Sequence, residues 1–422
     1  MSETTRAEPT PVHRRLWKRW NASSPVMVAG FAMFLGLLIG AVVIMTTTPV
    51  VLIAWRGFFH GWGGPGHALN VSFNNVGAAY RDMFTGSVFD PGSFWHSVTS
   101  GRGWSNALTP ISETLTYATP LIIASIGVGL AFQTGIFNIG ANGQAILGGI
   151  FGASAGSLWH MPAVLHLPVT MAAGVLGGVL AGAVPGLLKA YTGAHEVIVT
   201  LMFNYVVVSM LYLALFSSAL QLPGQSNDVS RNMDSSAQLA PLFGAASGLR
   251  VNYGLFIAAA VVVFAWWFLE RSSLGFEFRI TGANANAARA SGINAKAVVI
   301  VLFLISGGLA GLAGVVQVAG TTHFIDGGFL IGNAGIGFTA ITVALLGRNR
   351  PMGIVWASLL FAALGVGGRA MQASTGIPLD LAAIIQSAVV LFVATPVLVK
   401  EIFRLRAAPV AQVQLSTKGW SS

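Results

Sequence analysis

Residues 274–294 read Leu-Gly-Phe-Glu-Phe-Arg-Ile-Thr-Gly-Ala-Asn-Ala-Asn-Ala-Ala-Arg-Ala-Ser-Gly-Ile-Asn and separate two long blocks of strongly apolar sequence. The alanine-rich run from Asn284 to Arg289 predicts a short helix, opened by Gly282 and closed by Gly292. Because a bilayer rejects charged and amide side chains, this segment is expected to lie in water. It is either a solvated linker or, since the other connections on its side are short, the one sizeable cytoplasmic surface offered to a partner.

The composition places the chain among integral membrane proteins. Charged residues make up 8% of the 422 residues and hydrophobic residues 54%, whereas an ordinary soluble domain has about 25% charged residues. The absence of cysteine excludes a disulfide framework and a thiolate metal site. The net charge of +9 follows the sidedness of a membrane and does not indicate nucleic-acid binding.

Hydropathy predicts an all-α polytopic membrane protein of about ten transmembrane helices, since one crossing needs about 20 apolar residues. The predicted crossings are 26–47, 112–133, 136–158, 163–186, 196–218, 252–270, 296–319, 329–347, 351–372 and 381–400. They form one membrane domain over 26–400. Within it, 48–111 and 219–251 are expected to be partly ordered extracytoplasmic loops and 271–295 a cytoplasmic segment.

The distribution of basic residues predicts that both termini are cytoplasmic, namely a basic N-terminus over 1–25 and a tail over 401–422. With ten crossings, sixteen of the 22 lysines and arginines lie inside and six outside, in agreement with the positive-inside rule. An odd number of crossings would put the basic cluster at 400–406 outside the cell.

Two short passages indicate an internal repeat. Residues 137–143 (Phe-Asn-Ile-Gly-Ala-Asn-Gly) and 329–335 (Phe-Leu-Ile-Gly-Asn-Ala-Gly) agree at four of seven positions. Each begins the second crossing of a four-crossing group, crossings 2–5 and 7–10. A single crossing between the groups predicts that they are inverted, as in many transporters. A chance match among glycines and phenylalanines is the alternative.

Polar side chains inside predicted crossings are candidates for a solute path, because an unpaired amide at bilayer depth costs several kcal/mol. Interhelical hydrogen bonding is the alternative for any one of them. The cluster over 138–144, where glycines also free the backbone, favours a polar lining of the path. The candidates for the path are Asn138, Asn142, Gln144, Thr200, Asn204 and Asn333, and further polar residues in the crossings are Glu113 and Thr339.

The chain carries none of the patterns expected of an enzyme or a metal site. It has no Gly-x-x-x-x-Gly-Lys-Ser/Thr loop for ATP phosphates, no Gly-x-Ser-x-Gly elbow and no metal-binding histidine spacing. Energy from ATP must then come from a separate subunit, with 274–294 as its docking surface. Buried acids and histidines are too scarce for a proton relay.

Three passages resemble the permease subunits of ATP-binding-cassette (ABC) importers for sugars, nucleosides and branched-chain amino acids, most closely the nucleoside and simple-sugar permeases. Residues 135–144 are similar to the family's GLFNIGAEGQ, residues 195–205 to HEVIxTLMxNY, and residues 282–293 to the coupling segment GxNxxAAxxSGI. The likeness runs from about Ile111 to Leu398. Asn142 stands where the family usually has an acidic residue, and the 48–111 insert is longer than expected.

The resemblance implies a permease that imports a nucleoside by ATP-driven alternating access. Its implied partners are a second permease, homologous or identical, cytoplasmic ATPases that bind ATP and Mg, and an extracytoplasmic substrate-binding lipoprotein. Phe137 and Phe324 are candidates to stack a base or a sugar face. The residues expected to couple the chain to the ATPase are Gly275, Glu277, Arg279, Gly282, Asn284, Ala287, Ala288, Arg289 and Gly292.

Other functions remain open at this point. A simple sugar or another small polar solute is the alternative cargo. A secondary transporter or a channel would use the same inverted repeat but would need coupling ions or a charged filter. A membrane-embedded enzyme lacks its catalytic constellation, and a structural scaffold gives no reason for the polar cluster at 138–144.

Overall fold

The computed structural model describes residues 25–61, 64–100, 105–224, 227–329 and 335–404. Within these ranges the regular structure is helical, and the only β-type pairings are isolated bridges. The α-helices are α1 (Pro25–Thr47), α2 (Pro49–Phe59), α3 (Pro65–Ser87), α4 (Pro91–Ser100), α5 (Ser105–Gln133), α6 (Ala141–Leu158), α7 (Ala163–Thr192), α8 (Glu196–Leu215), α9 (Gly254–Arg271), α10 (Ser273–Ala283), α11 (Ala285–Ala290), α12 (Ala295–Gln317), α13 (Ile336–Leu346), α14 (Pro351–Thr375), α15 (Asp380–Ala394) and α16 (Pro396–Ile402).

The expected all-α membrane fold is confirmed. A helix lies at each of the ten predicted crossings, and seven helices of the described chain are long and apolar enough to cross a membrane. The predicted four-crossing groups correspond to α5–α8 and α12–α15, with α9–α11 between them. The predicted N-terminal segment lies outside the described residues apart from Pro25, and so does the predicted tail beyond Arg404.

The centre of the fold is α12, which packs against α5, α6 and α7. Glycines allow the backbones to approach closely: a Cβ on Gly311 would lie 2.4 Å from the carbonyl oxygen of Gly174, and one on Gly178 would lie 2.1 Å from that of Gly307. Lipid provides no hydrophobic force between helices, so this packing supplies the attraction that holds them together.

The eighth predicted crossing differs from a full transmembrane helix. Instead of a helix over 329–347, α13 begins at Ile336 and has 11 residues, about 16 Å at 1.5 Å per residue, or half of the hydrocarbon core. Before it, α12 continues into a π-helical turn, Val318–Thr322, followed by irregular backbone up to Phe329. Irregular backbone at membrane depth is tolerated where protein buries it, and hydropathy alone does not distinguish it from a helix.

The loop predicted over 219–251 packs onto this irregular backbone. Its chain donates backbone hydrogen bonds from Ser230 to Ile325 (2.8 Å), from Met233 to His323 (2.8 Å) and from Leu239 to Ala319 (2.9 Å). The loop therefore satisfies polar groups that a broken helix leaves unpaired.

The described residues of the 48–111 stretch are largely helical and do not form a partly ordered loop, which corrects the expectation from sequence. They form α2, α3, α4 and the start of α5, and α3 has 23 residues and packs against α14. Each helix begins with a proline, Pro49, Pro65 or Pro91. Proline is favoured at the first helical position because the missing N–H is unpaired there in any case. These prolines resemble loop signals in the sequence but start helices in the structure.

Candidate solute cavity and coupling segment

A cavity of about 220 Å³ lies where five helices from both four-helix groups meet. It follows α14 from Phe361 to Arg369, about 12 Å along the helix axis. The lining residues are Tyr117, Pro120 and Leu121 of α5, Gln317 of α12, Ile336 and Thr339 of α13, Phe361, Ala362, Gly365 and Arg369 of α14, and Gln386 of α15. The lining is therefore mixed, with apolar side chains, two amides, a hydroxyl and one cation.

The cation in this cavity is held over an aromatic ring. The guanidinium of Arg369 lies 3.9 Å from the ring centroid of Tyr117, a cation–π contact between α14 and α5. No carboxylate lines the cavity. Gln386 donates from Nε2 to the carbonyl of Phe361 at 3.3 Å, which leaves its Oε1 as an acceptor.

The predicted polar cluster at the start of α6 is buried and internally hydrogen-bonded. The Nδ2 of Asn138 donates to Oε1 of Gln144 (2.9 Å) and to Oγ of Ser306 on α12 (2.8 Å), and its Oδ1 accepts from the Gly140 amide (3.0 Å). Asn138 and Gln144 are each 1% exposed. The cluster thus connects the α5–α6 turn to the central helix.

The other predicted polar residues join helix ends. Asn204 of α8 accepts from the Gly143 amide (2.9 Å) and donates to the Ile139 carbonyl (3.1 Å), so α8 fixes the start of α6. Asn142 accepts from the amide of Gly337 at 3.3 Å. The N-termini of α6 and α13, one from each group, therefore meet at Asn142.

The remaining candidates lie elsewhere. Thr200 is buried and donates to the Glu196 carbonyl of its own helix at 2.7 Å. Phe137 is 50% exposed and packs edge-on against Phe132, and Phe324 is half-buried; neither lines the cavity. Asn333 lies outside the described residues.

Thr339, noted in the sequence only as a polar residue inside a crossing, lines the cavity, and so do Tyr117, Gln317, Arg369 and Gln386, which were not expected there. The signal for three of these was present, because Gln317, Arg369 and Gln386 are polar residues inside predicted crossings. Position along the chain had assigned Arg369 to the outer surface.

The predicted coupling segment consists of α10 and α11. Asn284 is the N-cap of α11, and its Oδ1 accepts from the amides of Asn286 (3.0 Å) and Ala287 (3.1 Å). Gly292 has φ +80°, the left-handed conformation that favours glycine after a helix. The predicted short helix and its end at Gly292 are confirmed. Gly282 does not open it, because this residue belongs to the last turn of α10.

Gly282 instead packs against the turn between α5 and α6. A Cβ on Gly282 would lie 2.0 Å from the carbonyl oxygen of Gln133, and the ideal Cβ position at Gly135 is 3.6 Å from the Gly282 Cα. The Nε2 of Gln133 donates to the Asn349 carbonyl at 2.6 Å. The coupling segment is thus in direct contact with the turn that leads to Asn138.

The predicted coupling residues divide into inward and outward groups. Gly275 and Ala288 are buried, and a Cβ on Gly275 would lie 2.0 Å from the Phe268 carbonyl oxygen. The exposed group contains Arg279, Asn284, Ala287 and Arg289, and Glu277 is half-exposed. Arg289 donates to Oδ1 of Asn286 within α11 at 2.7 Å, so its cation is held on the surface of that helix.

Apolar helices in two four-helix groups, a cavity of mixed lining between them and a short helix pair, α10 and α11, are typical of a membrane transport permease. Residues 111–394 match the family of branched-chain amino acid transport system / permease components, and the chain belongs to this family.

The chain is also similar to several permeases of ABC transporters. It is 32% identical to the guanosine ABC transporter permease protein NupP of Bacillus subtilis (strain 168), over 71% of this chain and 86% of that protein. It is 35% identical to the glucose ABC transporter permease protein TsgB13 of Haloferax volcanii, over 68% and 76%. It is 33% identical to the nucleoside ABC transporter permease protein NupB of Lactococcus lactis subsp. cremoris (strain MG1363), over 69% and 80%.

The chain is therefore an ABC transporter permease subunit and a multi-pass membrane protein. Such subunits have no ATPase site of their own, and ATP is hydrolysed by partner subunits. Membership of the family implies ATPase and substrate-binding partners.

Proposed function

We propose that this permease imports nucleosides by ATP-driven alternating access. The observation that carries the proposal is the cavity, in which two aromatic rings, two amides, a threonine hydroxyl and an arginine line one space, with no carboxylate among the described lining residues. This lining suits a neutral solute with an apolar ring face and hydrogen-bonding edges. The similarity to the guanosine permease NupP and the nucleoside permease NupB supports the same cargo.

A simple sugar is the second candidate cargo. The specific observation in its favour is the 35% identity to the glucose permease TsgB13. A sugar would use the same amides and hydroxyl, but it has less need of an arginine, because its hydroxyl groups both donate and accept hydrogen bonds.

The proposed complex contains a second permease copy or homologue, cytoplasmic ATPases that hold ATP and Mg, and an extracytoplasmic binding lipoprotein. Both termini are proposed to be cytoplasmic, with 48–111 and 219–251 on the extracytoplasmic side. The ATPase is proposed to bind the exposed face of the coupling segment, which carries Arg279, Ala287 and Arg289 together with the half-exposed Glu277. The inward residues Gly275, Gly282 and Ala288 keep this face in position.

The polar candidates from the sequence are proposed to serve the path mainly by linking it to the coupling segment. Gly282 touches the turn at Gln133, and that turn leads to the Asn138 cluster at the start of α6. Asn142 then contacts Gly337, two residues before Thr339 in the cavity lining. A movement of α10 would therefore be transmitted to the cavity through these direct contacts.

Uptake by a strain that lacks this permease tests the proposal. Cells expressing the chain should accumulate labelled nucleoside, and Arg289→Glu should abolish uptake while the protein level in the membrane stays normal. Arg56→Glu, at an exposed arginine of α2, is the matched charge reversal and should retain uptake. Accumulation of glucose but no nucleoside would replace the proposed cargo with a sugar. Full uptake by the Arg289→Glu variant would refute the proposal that the ATPase binds this face of the coupling segment.

A further inference from the structure

Four polar groups in the cavity have no intramolecular hydrogen-bond partner among the described residues: the guanidinium of Arg369, the amide of Gln317 and the hydroxyls of Thr339 and Tyr117. Arg369 also has no ion-pair partner in this part of the chain; its contact is the ring of Tyr117 at 3.9 Å. Arg369 is exposed and the other three residues are partly exposed, so these groups are accessible to a ligand in the cavity. Together they point to a ligand that supplies acceptors to the arginine.

The guanidinium restricts which acceptors fit. Its carbon lies 3.9 Å from the ring centroid of Tyr117, and a guanidinium presents its N–H groups as a planar fork. Such a fork matches two neighbouring acceptors in one plane. Among nucleobases, a 6-oxopurine offers this pair through O6 and N7, whereas adenine places an amino donor beside N7.

The rest of the lining fits the same base. Tyr117, Leu121 and Phe361 provide apolar surface for the faces of a flat ring. The Oε1 of Gln386 remains an acceptor because its Nε2 is bound to the Phe361 carbonyl, and a 6-oxopurine carries an N1–H donor beside O6. No carboxylate lines the cavity, so nothing there compensates a cationic solute.

We propose that Arg369, held by Tyr117, makes this cavity selective for 6-oxopurine nucleosides, such as inosine and guanosine, over 6-aminopurine nucleosides. The inference rests on the proposed nucleoside import and names the class of base. Arg369 is a specificity residue that contacts the solute.

Binding to the permease copurified with its ATPase, in lipid nanodiscs without the binding protein, isolates the contribution of the cavity. The wild-type complex should bind inosine about tenfold more tightly than adenosine, the ratio expected for one bidentate arginine contact. Arg369→Lys keeps the charge but loses the fork, so the ratio should fall to about one. Arg250→Lys is the matched control, because Arg250 pairs with Glu113 at 3.2 Å and does not line the cavity; its ratio should equal the wild type.

A change in the ligand provides a second measurement, which uses only the wild-type protein. Purine riboside lacks the 6-oxygen, and it should bind the wild-type complex about as weakly as adenosine. Equal binding of inosine, adenosine and purine riboside would overturn the inference while leaving nucleoside import intact. An unchanged ratio in a folded Arg369→Lys complex would also overturn it. Binding of glucose without any nucleoside would instead refute the proposed function.

Discussion

Replacing Gly282 by alanine tests whether the contact between the coupling segment and the α5–α6 turn transmits movement. The added Cβ would lie 2.0 Å from the Gln133 carbonyl oxygen, and ordinary contact begins at 3.4 Å. The coupling segment must therefore shift by about 1.4 Å, the difference between these two distances. Overpacking of this kind costs about 1–3 kcal/mol. If this cost falls on the link between ATPase and cavity, the middle of that range, about 2 kcal/mol, lowers coupling about thirtyfold.

The assay is solute uptake per ATP hydrolysed in proteoliposomes that contain the whole importer. Gly182→Ala is the matched control, because its Cβ would meet the Phe303 carbonyl oxygen at 2.2 Å, between α7 and α12 and away from the coupling segment. Both variants should lower the thermal midpoint, but only Gly282→Ala should lower uptake per ATP. An unchanged ratio in a destabilised Gly282→Ala importer would refute the argument that this contact carries the coupling.

Three further changes test individual parts of the site. Asn142→Leu removes the acceptor for the buried Gly337 amide and should destabilise the protein by about 1–3 kcal/mol in thermal unfolding. Asn142→Asp keeps an acceptor, so its loss of stability should be smaller. Equal losses in the two variants would contradict the role of this bond. Asn284→Ala removes the N-cap of α11 and should lower the stability of this helix by about 1 kcal/mol, measured as faster amide hydrogen exchange over 285–290. Asn284→Asp keeps a capping oxygen and should restore slow exchange. Phe137→Leu, at a residue outside the cavity, should leave the ranking of competing solutes unchanged, and an altered ranking would show that Phe137 contacts the cargo.

The sequence predicted the helices well because the bilayer imposes a strong rule. A span must satisfy its own backbone polar groups, so long apolar runs become helices and their number follows from hydropathy. Two predictions were wrong. The backbone over 323–329 is irregular, and the loop at 230–239 supplies hydrogen bonds to the carbonyls of His323 and Ile325. The prolines at 49, 65 and 91 are consistent with either a loop or a helix start.

The site was only partly predictable because the cavity is a property of helix packing and not of one segment. Tyr117 and Gln386 are far apart in sequence and line the same space only because α5 and α15 converge on it. The clustered amides at 138–144 attracted attention as a path, but their spacing allows them to bond to one another and to Ser306, which a linear pattern does not reveal. Arg369 shows the opposite case, a residue that was not expected in the path but lines the cavity. Near the end of a predicted crossing it counts as one more outer charge, yet its ring contact with Tyr117 places the cation among the cavity residues. In a membrane protein, a polar residue that finds its partners within the fold holds helices together. One that lines a cavity without a partner is the better candidate to bind the cargo.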